Sequence, residues 1–148
     1  MDTYIWRPGS LEDLSIIADI EKQSFSDPWK QDDFVYCVEN DAIVFGVMAD
    51  SMNEPVAYAV IYCAADEGEL ATIAVEKSHR GQGLGCRVLE CACEAARQLQ
   101  VTRVYLEVRV SNEPAIGLYK SFGFEDEGIR KNFYDFPRED AYVMKKVI

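Results

Sequence analysis

The chain has 148 residues, 49% hydrophobic and 28% charged, and 26 acidic against 15 basic side chains give it a net charge of −11. That length predicts one domain, residues 1–148, burying about 70% of the surface an unfolded chain exposes. The excess of acid argues against a direct nucleic-acid partner, which needs a basic surface, and suits a cationic substrate. No apolar run approaches the ~18 residues needed to cross a bilayer. Asp2, with no apolar stretch behind it, is unlike a signal peptide. The expectation is a cytoplasmic protein with no membrane partner. The cysteines at 37, 63, 86, 91 and 93 are odd in number, lack a C-x-x-C pair and share the chain with one histidine. They read as reduced thiols in the core, with no metal site.

In chain order, "YIWRP" alternates and predicts a short strand. Ser10, with Asp13 three residues on, caps a helix whose apolar stripe is Leu11, Leu14, Ile17, Ala18 and Ile20. Pro28 breaks the chain, and "KQDDFVYCVEN" predicts a second helix ending near Asn40. The period then changes. "AIVFGVMAD" and "PVAYAVIYCA", separated by the turn-like "SMNEP", predict an antiparallel hairpin, and "ELATIAV" a further strand. "LGCRVLECACEAARQLQ" predicts a helix with Val88, Ala92, Ala95 and Leu99 on its apolar face. "RVYLEVRV" alternates strictly. A short helix follows, capped by Ser111 or Asn112, with Pro114 in its first turn and Gly123 ending it. "DEGIRKNFY" and "DAYVMKKV" predict the last two strands.

Between the strand ending at Val75 and the helix opening near Leu84 lies "HRGQGLGC", with glycines at 81, 83 and 85. Neither the P-loop nor the dinucleotide fingerprint fits, since the sixth position of Gly-x-Gly-x-x-Gly is Cys86. A glycine turn feeding a helix start still offers free N–H groups and the positive end of a dipole to an anion. Arg80 and Arg87 flank it.

"ATIAVEKSHRGQGLGCRVLE" resembles the central motif of the GNAT acyltransferases, Arg/Gln-x-x-Gly-x-Gly/Ala after a buried strand. "LEVRVSNEPAIGLYKSFGFEDEGIRKNFY", "REDAYVM" and "FSDPW" are similar to the RimI family, which acetylates the N-terminal alanine of a small-subunit ribosomal protein. The resemblance implies an α/β (α+β) fold, a mixed and mostly antiparallel twisted sheet of about seven strands flanked by about four helices. It implies acetyl-CoA as co-substrate. Arg80, Gly81, Gln82, Gly83, Leu84, Gly85 and Cys86 would cradle its pyrophosphate. The backbone of Ile73, Ala74 and Val75 would hold its pantetheine arm, and Asn112 would add a contact. Three positions depart from the family pattern: Gly117 where alanine is common, Cys86 where a basic residue is frequent, and Lys77 where proline is common.

Amine acetylation by a thioester needs a neutral amine and a protonated leaving sulfur. Tyr105, Glu107 and Arg109 share the polar face of their strand. By spacing alone Glu107 is either the partner of Arg109 in a surface ion pair or a general base; the resemblance implies the base. Tyr119 lies on an apolar helical stripe and by itself reads as core; the resemblance implies the general acid. Trp29, Phe133 and Tyr134 are candidate walls of a peptide groove or plain core. An α-amino group titrates near 8 and a lysine near 10.4, so deprotonating lysine costs about 3.3 kcal/mol more. This favours an N-terminal amine, on a basic ribosomal protein by the resemblance, with the enzyme a monomer or weak homodimer. Acetylation of lysine or of a small amine is the alternative within the fold, and a non-catalytic acyl-CoA sensor the alternative outside catalysis.

Overall fold

The computed structural model describes residues 3–148, so Asp2, used above against a signal peptide, lies outside the described residues. Among these residues the elements run β1 (Ile5–Pro8), α1 (Leu14–Ser24), α2 (Gln31–Glu39), β2 (Ile43–Ala49), β3 (Pro55–Ala64), β4 (Glu67–Val75), α3 (Leu84–Gln98), β5 (Arg103–Arg109), α4 (Glu113–Phe122), β6 (Glu125–Tyr134) and β7 (Glu139–Val147). Two 3-10 turns, Leu11–Asp13 and Lys77–His79, precede α1 and the glycine loop. No described helix is long and apolar enough to cross a membrane.

The strands form one sheet in the order β1-β2-β3-β4-β5-β7-β6. Every neighbouring pair is antiparallel except β4 and β5. This is the mixed, mostly antiparallel sheet with four α-helices expected from the sequence. Both faces of its middle are covered, which is why β3 is buried from Pro55 to Ile61 rather than alternating. On one face Leu14, Ile17 and Ile20 of α1 and Phe34 and Cys37 of α2 pack on Val47, Tyr58, Val60 and Ala74. On the other, Leu84, Val88, Leu89, Ala92, Cys93 and Ala96 of α3 pack with Tyr119 of α4 on Ala57, Ala59, Ile61, Leu106 and Val108.

Two local expectations shift. Ser10 opens a capping box with Asp13, but the box caps the 3-10 turn, and Leu11 is left 57% exposed ahead of α1. Val88 and Ala92 of the expected α3 stripe are buried, and the buried face also takes in Leu89, Cys93 and Ala96; Leu99 is the C-cap residue, beyond the last turn, and stays exposed. All five cysteines are free, and burial raises the Cys93 thiol to about 11, as suits an inert core residue.

Gly117 stands in the interior of α4 with no atom within 4 Å of where a Cβ would lie. Gly117→Ala therefore gains helix propensity without a clash. The expected stabilisation is about 0.5–1 kcal/mol, raising the midpoint of thermal unfolding by about 2–4 °C. An unchanged or lowered midpoint in calorimetry would contradict this.

Candidate active site

The site begins where two strands part. β4 and β5 pair only at Glu67↔Arg103, Gly68↔Val104 and Glu69↔Tyr105. Just beyond, β4 carries a bulge: Ile61 faces Leu70 and Val60 faces Thr72, which leaves Ala71 as the extra residue. From there β4 follows β3 and leaves β5. Glu76 N–H donates to Val56 O, so alternation along the ladder turns the peptide groups of Ala74 toward β3 and those of Ile73 and Val75 into the opening. The Val75 carbonyl already accepts from Arg80 Nε at 2.9 Å. Of the three backbone positions expected to hold a pantetheine arm, Ile73 faces the opening with no recorded protein partner, while Ala74 faces the other way.

The glycine loop follows. Gly81 and Gly83 have φ of 82° and 78°, the left-handed region, and a Cβ on either would meet nothing within 4 Å. The space in front of them is open. Gly85 serves differently: a Cβ there would sit 3.1 Å from Leu118 Cδ2, so it lets α3 pack closely on α4. Gly83 is the N-cap of α3 and provides no side-chain cap, leaving the amides of Leu84, Gly85 and Cys86 at the positive end of a 15-residue helix. Of the flanking cations, Arg80 also reaches Ser24 Oγ at 3.2 Å, and Arg87 turns toward the Tyr4 carbonyl and ring. Gln82 accepts from the Tyr4 hydroxyl at 3.2 Å, which ties the loop to the start of the chain.

Where β4 and β5 part, a cavity of about 540 Å³ opens. Its lining includes Trp29, Ile73, Glu107, Asn112, Tyr119 and Tyr134 from the expected set. Residues 80–86 are not part of that lining. Phe133, read above as a possible wall, is 46% exposed and stacks edge-on against Tyr134 outside it. Glu107 and Tyr119 approach from opposite sides. Glu107 lies on the face of β5 away from α3 and α4, whereas Tyr119 comes from α4 itself. The opening between the strands is what lets both line one cavity. Asn112 caps α4, its side chain accepting from Ala115 N–H.

Burial holds the Glu107 carboxyl above its usual range. Glu69 on β4, another carboxyl on the same face, pushes it further, and Arg130 at 3.6 Å opposes the shift. The expected alternative, a Glu107–Arg109 pair, does not form: Glu107 faces Arg130 and Arg109 pairs with Glu139. Burial also raises the Tyr119 hydroxyl, with Tyr134 adding to it, so it is a protonated donor at neutral pH. Tyr134 is raised to about 12, mainly by burial.

Sequence reasoning missed Glu21. Only 2% exposed, it accepts from Tyr58 Oη at 2.6 Å, Thr72 Oγ1 at 2.7 Å and the Trp29 amide at 3.0 Å. One carboxylate thus ties α1 to β3, to the strand just past the β4 bulge and to the loop before α2. Its signal was present: Glu21 stands one turn after Ile17, on the buried stripe of an amphipathic helix, where a carboxylate requires partners.

The model of the acetyltransferase (GNAT) family matches residues 14–124. The chain belongs to the GNAT acetyltransferase family. A Bacillus subtilis (strain 168) relative, whose name gives ribosomal protein bS18-alanine N-acetyltransferase provisionally, is 37% identical over 134 residues, 90% of this chain and 89% of its own. The crystal structure of the ribosomal-protein-S18-alanine N-acetyltransferase from Escherichia coli superposes with a TM-score of 0.89 at 30% identity, over 99% of this chain and 94% of that one. Arabidopsis thaliana NAA60 in complex with acetyl-CoA shares the fold at a TM-score of 0.89 and 20% identity, over 99% of this chain and all of that one. This GNAT chain is thus an acetyltransferase of the RimI type in sequence and fold.

Because like charge raises a carboxyl's midpoint, removing Glu69 should lower that of Glu107. Glu69→Gln is expected to shift the Glu107 midpoint down, read by carboxyl-carbon NMR titration. Glu107 would then ionise at lower pH. An unchanged midpoint would show that Glu69 does not contribute to it.

Proposed function

We propose that this acetyltransferase moves the acetyl group of acetyl-CoA to the N-terminal α-amino group of a basic protein, a ribosomal protein as in its named relatives. The observation that carries the reading is the meeting of Glu107 and Tyr119 in one cavity from opposite faces of the sheet. A base is thereby presented to the amine on one side, and a hydroxyl donor to the leaving sulfur on the other.

The residues present fit acetyl-CoA. Open space in front of Gly81 and Gly83 and the uncapped start of α3 suit a pyrophosphate. The free peptide edge of Ile73 suits an amide-bearing arm, with Asn112 at the start of α4 close by. Cys86, on the first turn of α3, adds no charge to this cradle. When bound, the co-substrate supplies an activated thioester; the protein orients it and moves protons. Glu107 Oε, directly or through water, accepts a proton from the substrate ammonium, and the neutral amine so formed attacks the thioester carbonyl. The Tyr119 hydroxyl gives its proton to the departing sulfur and needs no prior ionisation, consistent with its raised pKa. Trp29 and Tyr134 flank the amine's approach.

The substrate's charge follows from the lining. Glu21, Asp27, Glu107 and Glu139 face the cavity with Arg109 as the one cation there, on a chain of net charge −11. Such a mouth attracts an ammonium followed by basic residues.

The test is thiol release from acetyl-CoA with basic, alanine-starting peptides, set against N-terminally blocked peptides that carry lysine. Wild type should turn over the first and not the second; the reverse would make it a lysine acetyltransferase. Glu107→Gln should lower kcat by about 10²–10⁴, the span of general acid–base catalysis. Tyr119→Phe should lower kcat at least about thirtyfold with acetyl-CoA affinity kept, since the hydroxyl acts only as charge develops. Rates within a few-fold of wild type in both variants would remove these two residues from the chemistry.

A further inference from the structure

The mouth of the cavity has two walls that are remote in sequence. One is the segment 24–29 between α1 and α2, and the other is the turn 135–139 between β6 and β7. Both contribute to the lining through Ser26, Asp27 and Trp29 on one side and Pro137 and Glu139 on the other. No strand or helix pairs one wall with the other. One side chain hydrogen-bonds to both.

That side chain is Arg109, on the same face of β5 as Glu107 and two residues after it. Its Nη1 donates to the Pro137 carbonyl at 2.8 Å and to Glu139 Oε1 at 3.1 Å. Its Nη2 donates to the Asp135 carbonyl at 3.0 Å and to Ser26 Oγ at 3.3 Å. The plane stacks on the Tyr134 ring, 4.4 Å from the ring centre. Glu139 extends the chain of contacts, its Oε2 accepting from the Ser111 amide at 2.7 Å, one residue before Asn112 caps α4. The guanidinium thus binds the β6–β7 turn, the α1–α2 segment and, through Glu139, the start of the helix that carries Tyr119.

We propose that Arg109 is a positioning residue for the amine substrate: it straps the two walls of the mouth at the separation that lets a peptide end reach Glu107. A pair with Glu139 alone would need one edge of the guanidinium. The structure uses both terminal nitrogens and the ring face, on partners from three segments. Lysine, a point charge with no planar fork, cannot hold two carbonyls, a carboxylate and a hydroxyl at once. Asp135 and Pro137 both accept through their backbone carbonyls, so the strap holds the course of the turn itself. Among the described residues Arg109 makes no hydrogen bond or ion pair with the glycine loop or with β4, and Glu139 holds the Ser111 amide through its own Oε2, a bond that does not end on Arg109. Removal of Arg109 should therefore act on the amine and leave acetyl-CoA alone. The proposal rests on the amine entering by this cavity, as argued under the proposed function.

The test combines kinetics with hydrogen exchange on Arg109→Met, Arg109→Lys, Ser26→Ala and the Ser26→Ala/Arg109→Met double variant. In Arg109→Met, KM for the peptide is expected to rise about tenfold or more, with kcat within about threefold and KM for acetyl-CoA unchanged, because binding of one substrate is lost and the chemistry is not. Arg109→Lys should recover little of this. Ser26→Ala, which removes only the bond across the mouth, should raise the peptide KM about threefold and add nothing in the Arg109→Met background, since coupled partners are not additive. Amides of residues 24–29 and 135–139 should exchange faster together in Arg109→Met. Walls that keep their protection, additive effects, or an acetyl-CoA KM that rises in step with the peptide's would each overturn the strap. Should Arg109→Met fail to fold, an unchanged peptide KM and exchange in Ser26→Ala overturns it as well. If wild type accepts no alanine-starting peptide, the proposed substrate falls, and the exchange of the two walls alone decides the strap. Glu107→Gln separates the two ideas, since it should lower kcat and leave wall exchange as in wild type.

Discussion

The parting of β4 from β5 after Glu69↔Tyr105 is the constraint on which the rest of the structure depends. A sheet that stayed paired would be closed to ligands along its whole length, because its N–H and C=O groups would be satisfied by one another. Here the ladder stops three pairs in, and Ala71 bulges β4 away. Peptide groups at Ile73 and Val75 are turned toward a gap instead of a neighbour. The same gap is the passage by which Glu107, on one face, and Tyr119, on the other, reach a common cavity. Covering helices are needed on both faces for this to be stable, since an open seam in the middle of a sheet exposes apolar side chains. The helices α1 and α2 supply one cover and α3 and α4 the other.

An opening of this kind must be held at a fixed width, and the molecule does so with buried or half-buried charge. Glu21 ties Thr72, just past the bulge, to Tyr58 on β3 and to the backbone at Trp29. A carboxylate 2% exposed is costly unless its lone pairs are filled, and three donors fill them. On the other side Arg109 and Glu139 connect the turn after β6 to Ser111 and Ser26. The cavity walls are therefore set by ionic hydrogen bonds that reach across segments, and the apolar packing lies behind them.

Much of the fold was legible because its signals are periodic. The strict alternation of "RVYLEVRV" put Glu107 and Arg109 on one face and Leu106 and Val108 on the other, and the glycine at 123 and the proline at 114 marked the ends of α4. The α3 stripe was misplaced at its end because Leu99 continues the pattern past the last turn. The site was half legible. Glycines, a carboxylate and a tyrosine sit in short local motifs, and the structure brings Glu107 and Tyr119 together in one cavity. What could not be read was any partner chosen across long separations. Glu107 faces Arg130, not Arg109, because β6 lies next but one to β5 in the sheet, an adjacency that no local pattern carries. Glu21 and Arg109 were each visible as charged residues in alternating or helical patterns; their distant partners, Tyr58 and Thr72 at 37 and 51 residues from Glu21, were not.

This difference follows from how the two halves of the site are built. The proposed cofactor side is made of backbone: left-handed glycines, an uncapped helix start and a free strand edge. Backbone geometry of that kind demands particular residues at fixed local spacing, and glycine at 81 and 83 is nearly the only choice where φ is positive and something must come close. A short motif is therefore enough to reveal it. The proposed amine side is made of side chains from α1, β5, β6 and β7 and the turns between them, and many combinations could build a mouth of the same width. The shared chemistry of acetyl transfer is written locally and the choice of amine is written tertiarily. Substitutions that redirect this enzyme to another amine are thus to be sought along the α1–α2 and β6–β7 walls, where the bonds of Arg109 and Glu21 end, and not in the glycine loop.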